Sequence, residues 1–220
     1  MPCRKVPLVQ GQMYHIYTKS ITGFKVFNDH CAYDRMLDLF EYYNHEKVPC
    51  CYSLFTKLNG VSAAKNFSQK TDSPPLVHIL AYCIMPTHIH LVLQQLSKDA
   101  ISRFANLILK SYSKHFNEKH NRRGPLWEGR FENVLIKNDE QLLHLTRYIH
   151  LNPVTAYLVD KPDAWRYSSF NEYISTGSDG GKICTYDDYL DIEPRQYKEF
   201  VYDRISYQRE LAKIRDLVLD

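Results

Sequence analysis

The sequence has no Cys-x-x-Cys pair. Its six cysteines, Cys3, Cys31, Cys50, Cys51, Cys83 and Cys184, include one adjacent couple, a spacing that suits neither a zinc knuckle nor a disulfide ladder. A reducing compartment is the expectation. The longest apolar stretch, LVHILAYCIMP at residues 76–86, is shorter than the roughly 20 residues a spanning helix needs and contains His78. The opening MPCRKVPLVQ has no apolar core of the kind a secretion signal carries. These absences argue against the membrane-spanning and secreted classes, and we expect a cytoplasmic protein with no membrane partner.

At 220 residues the chain can bury a sizeable core in one main domain. Its net charge of +3 conceals an asymmetry: residues 186–220 carry six Lys/Arg and nine Asp/Glu, a net of −3, which leaves +6 on residues 1–185. A basic body suggests a polyanionic partner, and the acidic tail on a Gly/Ser linker could lie over that surface.

Patterning predicts an α+β fold, a mainly antiparallel sheet with helices packed on it. QMYHIYTKS alternates as a first strand over residues 11–19, and NDHCAYDRMLDLFEYY predicts a helix capped by Asn28 or Asp29, with Tyr33, Met36, Leu37 and Phe40 on one face. Residues 44–75 are poorly periodic and read as a long connection. LVHILAYCIM and HIHLVLQQ read as two strands joined tightly at Pro86-Thr87. From Ser97 a helix is predicted with Asp99 in its first turn and a stripe of Ile101, Phe104, Ala105, Ile108, Tyr112 and Phe116. RFENVLIK is the last strand, and Asn138 with Gln141 forms a capping box for a helix that Pro153 should end near Asn152. The domain division expected is 1–175, a linker at 176–185, and a helical tail at 186–220 with a helix from Pro194.

Within MPTHIHLVL, strand alternation puts His88 and His90 on one face and Ile89 on the other. Chance alone supplies about one His-x-His in every two chains of this composition, so the pair by itself is weak and reads equally as two hydrogen-bonded histidines. The late helix ends in YIHLN, whose i, i+4 spacing stacks Tyr148 and Asn152 on one face. That geometry does not choose among the 17 tyrosines, and a packed aromatic is an equal reading of Tyr148.

YCIMPTHIHLVL, GPLWEGRF, RYIHLNPV and WRYSSFNEY, with the opening YHIY, stand together in an order that resembles the single-tyrosine HUH transposases, in particular the repetitive-palindrome-associated tyrosine transposases. The resemblance covers about residues 11–175. It implies a ferredoxin-like, HUH-type core and metal-dependent cleavage and rejoining of single-stranded, hairpin-containing DNA. By the same resemblance His88 and His90 hold a divalent metal, Tyr148 is the nucleophile and Asn152 is the third ligand. A 5′-phosphotyrosine and a free 3′-hydroxyl would result. Relatives differ on whether the tyrosine serves its own subunit, which leaves a homodimer open.

A phenol, with a pKa near ~10, is a poor nucleophile at neutral pH. A metal would neutralise charge on the phosphate and orient it. Two imidazoles and an amide oxygen suit Mn²⁺ or Mg²⁺; zinc is less favoured without a thiolate or third imidazole. The segment KSYSKHFNEKHNRRGPLWEGRF interleaves cations and aromatics as single-strand binders do. Within it Arg122, Arg123, Trp127 and Arg130, in a Gly-Pro loop, and Lys114, on the preceding helix, are the candidate DNA contacts. His144, one turn before Tyr148, could tune the phenol but reads more simply as structural, and WRYSSFNEY as packing that seats the tyrosine helix. Two other functions stay open: a catalytically silent nucleic-acid-binding module of the same fold, and a hydrolytic metallonuclease in which water attacks.

Overall fold

Alternating aromatic and β-branched residues make Met13–Lys19 the first strand, β1, and it pairs on both of its edges. The computed structural model describes residues 6–176 and 182–218, the side chains of Lys65 and residues 213–218 excepted. Strands β2 (Val77–Met85), β3 (His88–Gln95) and β4 (Glu132–Ile136) complete a four-stranded sheet of order β2-β3-β1-β4, antiparallel throughout. Pro86 and Thr87 alone separate β2 from β3, so the hairpin sets the register of the histidines tightly.

The described helices are α1 (His30–Tyr43), α2 (Tyr52–Asn59), α3 (Val61–Lys70), α4 (Ala100–Lys119), α5 (Asp139–Thr155), α6 (Phe170–Ile174), α7 (Pro194–Tyr202) and α8 (Ile205–Val218). Helices α1 and α4 cover one face of the sheet. The stripe Ile101, Phe104, Ala105, Ile108, Tyr112 and Phe116 is buried as its spacing predicts, and Phe40 of α1 lies 5.8 Å from Tyr82 and 6.3 Å from Phe104 between ring centroids. The outer edge of β2 is not left open. Backbone N–H groups of Ser169 and Thr185 donate to the Tyr82 and Ile79 carbonyls, and Ile84 donates to Tyr167.

Four expectations need correction. Residues 44–75 hold two helices rather than a connection. Among the described side chains each helix buries a single one, Tyr52 in α2 and Ala64 in α3, too few to write a periodic stripe, while Gly60 at φ +83 turns the chain between them. Asp99 stands outside α4, in a left-handed conformation at its N-cap, and makes no capping bond. Helix α5 runs through Pro153 to Thr155: Pro153 and Val154 are both buried, and Asn152 still accepts from the Ala156 N–H at 2.9 Å. Burial of those two apolar groups outweighs the local preference against a helical residue before proline.

The fourth correction concerns the acidic segment. Residues 177–181, within the expected linker, lie outside the described residues, but on their far side the chain enters the core. Cys184, Tyr186, Leu190, Tyr197 and Val201 are buried, and Tyr186 stacks on Tyr173 at 3.7 Å. Glu172 anchors the re-entry by accepting from the Ile183 and Cys184 N–H groups at 3.0 and 2.8 Å. Helices α7 and α8 then pack on α5 and α6, through Arg147 over Phe200, Phe170 against Tyr202, and Arg209 donating to the Val154 and Val159 carbonyls. Among the described residues Asp187, Asp188, Asp191, Glu193, Glu199, Asp203 and Glu210 are exposed while Tyr186, Leu190, Tyr197 and Val201 are buried, so the segment is a structural layer behind α5 rather than a cover over the basic surface.

Candidate active site

The face of the sheet turned away from α1 and α4 carries the histidines. His88 and His90 point the same way from β3, their ring centroids 5.0 Å apart and their planes almost perpendicular. Across the β1–β3 ladder, Lys19 is the partner of His88 and Tyr17 the partner of His90, so alternation along β1 brings His15, Tyr17 and Lys19 to this same face. His15 is a direct member of the cluster: its Nε2 lies 2.9 Å from His90 Nδ1, with the rings stacked at 5.1 Å.

Burial keeps all three imidazoles neutral. It lowers His15 to about 4 and His88 to about 4, the latter helped by the Lys19 charge. His90 falls to about 2, through burial first and then the charges of His88, His15 and Lys19. Neutral imidazole has one donor nitrogen and one lone pair. Thr87 Oγ1 sits 2.9 Å from His88 Nδ1. With protons on the two Nδ1 atoms, donating to Thr87 and to His15, both Nε2 atoms present lone pairs.

Helix α5 supplies the other half. Asn138 Oδ1 accepts from the Gln141 N–H at 2.8 Å and Gln141 Oε1 from the Lys137 N–H at 2.9 Å, a reciprocal cap that sets where the helix begins and hence its phase. Its buried side is locked by His150. Ser169 Oγ accepts from the Tyr82 N–H and donates to the Tyr82 carbonyl, so it takes the His150 Nε2–H at 2.8 Å, and His150 Nδ1 accepts from the Tyr197 hydroxyl at 2.6 Å. This fixes Tyr148 towards the sheet edge-on to His90, centroids 6.0 Å apart, with 44% of its surface still open to solvent. Asn152, one turn on, holds its Nδ2 buried with no hydrogen-bond partner. His144 turns elsewhere, bonded to Arg147 at 2.8 Å and packed on Phe200, so it does not touch the phenol.

One chain therefore brings Tyr148, His88 and His90 to one place, with Asn152 one helical turn beyond Tyr148. Residues 55–152, the segment that holds all four, match the family described as Transposase IS200 like. In that segment, just under half of its length, the chain is similar to the IS200-like transposases.

The relatives agree. A protein of Haemophilus influenzae assigned as a REP-associated tyrosine transposase is 32% identical over 102 residues, 42% of this chain and 58% of its own length. The REP-associated tyrosine transposase of Escherichia coli K12 is 28% identical over 110 residues, 49% of this chain and 62% of its own. The matches thus span about three fifths of those curated relatives. A solved structure of a REP-associated tyrosine transposase bound to a REP hairpin aligns with a TM-score of 0.53 at 16% identity, over 87% of this chain and 99% of that one. At that identity the likeness speaks for the fold, and the α+β, HUH-type architecture expected from the motifs is what the domain has.

HUH-type transposases generally use a divalent metal, and the residues of the domain fit one. Among the described residues no group of three or more His, Cys, Asp and Glu could hold an ion, so one bound here would rest on two imidazoles and complete its shell from Asn152, water and substrate oxygens. The unpartnered Asn152 amide meets that need. In the orientation observed its buried N–H groups lack an acceptor, such as a phosphate oxygen; turned by 180° the same amide presents its carbonyl as a ligand.

The basic loop borders the site, which its place in the sequence does not reveal. Glu128 N–H donates to the Lys19 carbonyl, Ile21 N–H to the Leu126 carbonyl, and Ser20 bridges to Trp127, so residues 120–131 abut the His88 end of the sheet. The candidate contacts divide. Trp127 does not stay in the loop: it is buried, 6.3 Å from Phe27, and donates to the Leu109 carbonyl, because its large apolar ring fills the gap beside Tyr112. Arg122 donates to Asn117 Oδ1 and the Pro125 carbonyl and so shapes the loop. Lys114 lies 3.9 Å from Glu118 on the exposed side of α4. Arg123 and Arg130 are exposed. The alternation His15-x-Tyr17-x-Lys19, laid antiparallel to His88-x-His90, is the sequence signal that finds His15 and Lys19, and it needs the strand pairing to be read.

Proposed function

We propose that this domain is a metal-dependent DNA strand-transferase that cuts and rejoins single-stranded, hairpin-containing DNA through a 5′-phosphotyrosine intermediate. The observation that carries the reading is the placement of Tyr148, part-exposed and 6.0 Å from His90, by a helix whose buried side is locked in the same chain. The Tyr148 oxygen bonds to phosphorus as the bond to the 3′ oxygen breaks; the phenol proton leaves to solvent and the 3′ oxygen takes one up. His88 and His90, neutral and aimed by Thr87 and His15, would hold Mg²⁺ or Mn²⁺, which supplies charge neutralisation on the phosphate. Asn152 lies on the same helix face as Tyr148 and serves the ion or a phosphate oxygen. A tyrosine and histidines from one chain make a monomer sufficient for the cut, and Arg123 and Arg130 beside the site serve the DNA backbone. No helix among the described residues is long and apolar enough to cross a membrane; we place the protein in the cytoplasm, where its DNA is.

The test is a covalent adduct. A hairpin oligonucleotide with randomised single-stranded flanks, labelled at its 3′ end and incubated with protein and Mn²⁺, yields a labelled band that survives denaturing electrophoresis. Tyr148→Phe keeps the ring and its packing on His90 yet gives no band, while His88→Ala and His90→Ala lose the band and keep hairpin binding. Cutting without an adduct would establish a hydrolytic nuclease, and binding without cutting a silent module.

A further inference from the structure

Resting on that reading, we propose that Lys19 is the cation that grips the scissile phosphate, contacting a non-bridging oxygen while the Tyr148 oxygen attacks. Three observations converge. Lys19 is the cross-strand partner of His88 and shares its face of the sheet, and its charge acts on both His88 and His90. Its side chain is exposed and forms no ion pair among the described residues; Glu128, whose N–H bonds the Lys19 carbonyl, and Glu132, opposite Tyr17, both leave it free. The backbone carbonyl bond to Glu128 at 2.9 Å pins the end of β1, so the ammonium swings from a fixed root.

Charge balance makes the same point. Two neutral imidazoles and an amide bring no negative charge, so a dication beside Lys19 would leave the site strongly positive. Glu132, the partner of Tyr17 on that face, forms no ion pair with Lys19 among the described residues, so one carboxylate at most offsets that charge and the remaining anion comes from the substrate. A phosphodiester supplies it, and each bond from an ammonium to one of its oxygens is charge-assisted and worth more as negative charge builds in the transition state.

Lys19 and the metal ligands are therefore opposed in the free protein and cooperate only when the phosphate lies between them. This gives opposite signs in two measurements. Lys19→Met keeps the stem but loses the charge: Mn²⁺ titrated into DNA-free protein binds about 2- to 10-fold tighter, whereas adduct formation on the hairpin pool slows by about 30-fold or more. Lys19→Arg restores the adduct rate to within about 5-fold, and hairpin affinity without metal moves by less than about 3-fold in both variants. Adduct formation by Lys19→Met at the wild-type rate would overturn the proposal, as would weaker Mn²⁺ binding, which marks a structural role. Failure of the wild-type protein to form any adduct would instead remove the strand-transfer reading, and this one with it.

Discussion

Replacing Asn152 with leucine should stabilise the protein while destroying its activity. The Asn152 Nδ2 is buried and has no hydrogen-bond partner, in a helix whose neighbouring residues Leu151, Pro153 and Val154 are buried. A buried polar atom with no partner costs about 1–3 kcal/mol relative to a satisfied or apolar one. Leucine has the same branched skeleton with bulkier methyl groups, and Asn152 is only half-buried, so the substitution removes that penalty at a smaller cost in packing, and we expect a net gain of about 1–2 kcal/mol. For a chain of this size each kcal/mol moves the midpoint by about 2–4 °C, so Tm should rise by roughly 2–8 °C in thermal melts without metal or DNA. Urea unfolding should show a higher midpoint at unchanged slope, which separates a stability change from a change in compactness. The same protein should form the covalent adduct at a small fraction of the wild-type rate. A fall in Tm would refute the reasoning, because it would show that the amide works for the fold and not for a ligand.

Two further substitutions probe the supports of the site. His15→Phe keeps a ring against His90 but offers it no acceptor, so Mn²⁺ affinity should drop about 10- to 100-fold, while His15→Gln, whose carbonyl can accept, should lose less; an unchanged affinity in the phenylalanine variant would reduce His15 to packing. Tyr197→Phe strips the donor from the buried His150 Nδ1, 2.6 Å away, and should cost about 1–3 kcal/mol by urea denaturation. Unaltered stability together with tighter hairpin binding would revive the C-terminal segment as a removable cover.

Much of this architecture was written locally. The alternation of β1 and of the β2–β3 pair, the six-residue stripe of α4 and the Asn138–Gln141 cap are all short-range patterns, and each specifies a face or an end without help from the rest of the chain. Pairing His88 with His90 needs only the period of a strand. Three things could not be read that way. Among the described side chains the helices α2 and α3 bury one apiece, so nothing periodic marks them. Helix α5 continues through Pro153 because burial overrides a local preference, and only the packed neighbours set that balance. Most of the site is likewise a tertiary product. Only resemblance distinguishes Tyr148 among 17 tyrosines, and what places it beside His90 is His150, clamped by Ser169 and by Tyr197 from a segment about 50 residues later whose composition is that of an acidic tail. His15 and Lys19 enter the site through strand register, and Trp127 leaves the candidate DNA surface because the core has a space its ring fills. Local sequence decides which face a side chain takes; which faces meet is decided by the burial of the whole chain, where contacts distant in sequence outweigh the preferences of neighbours.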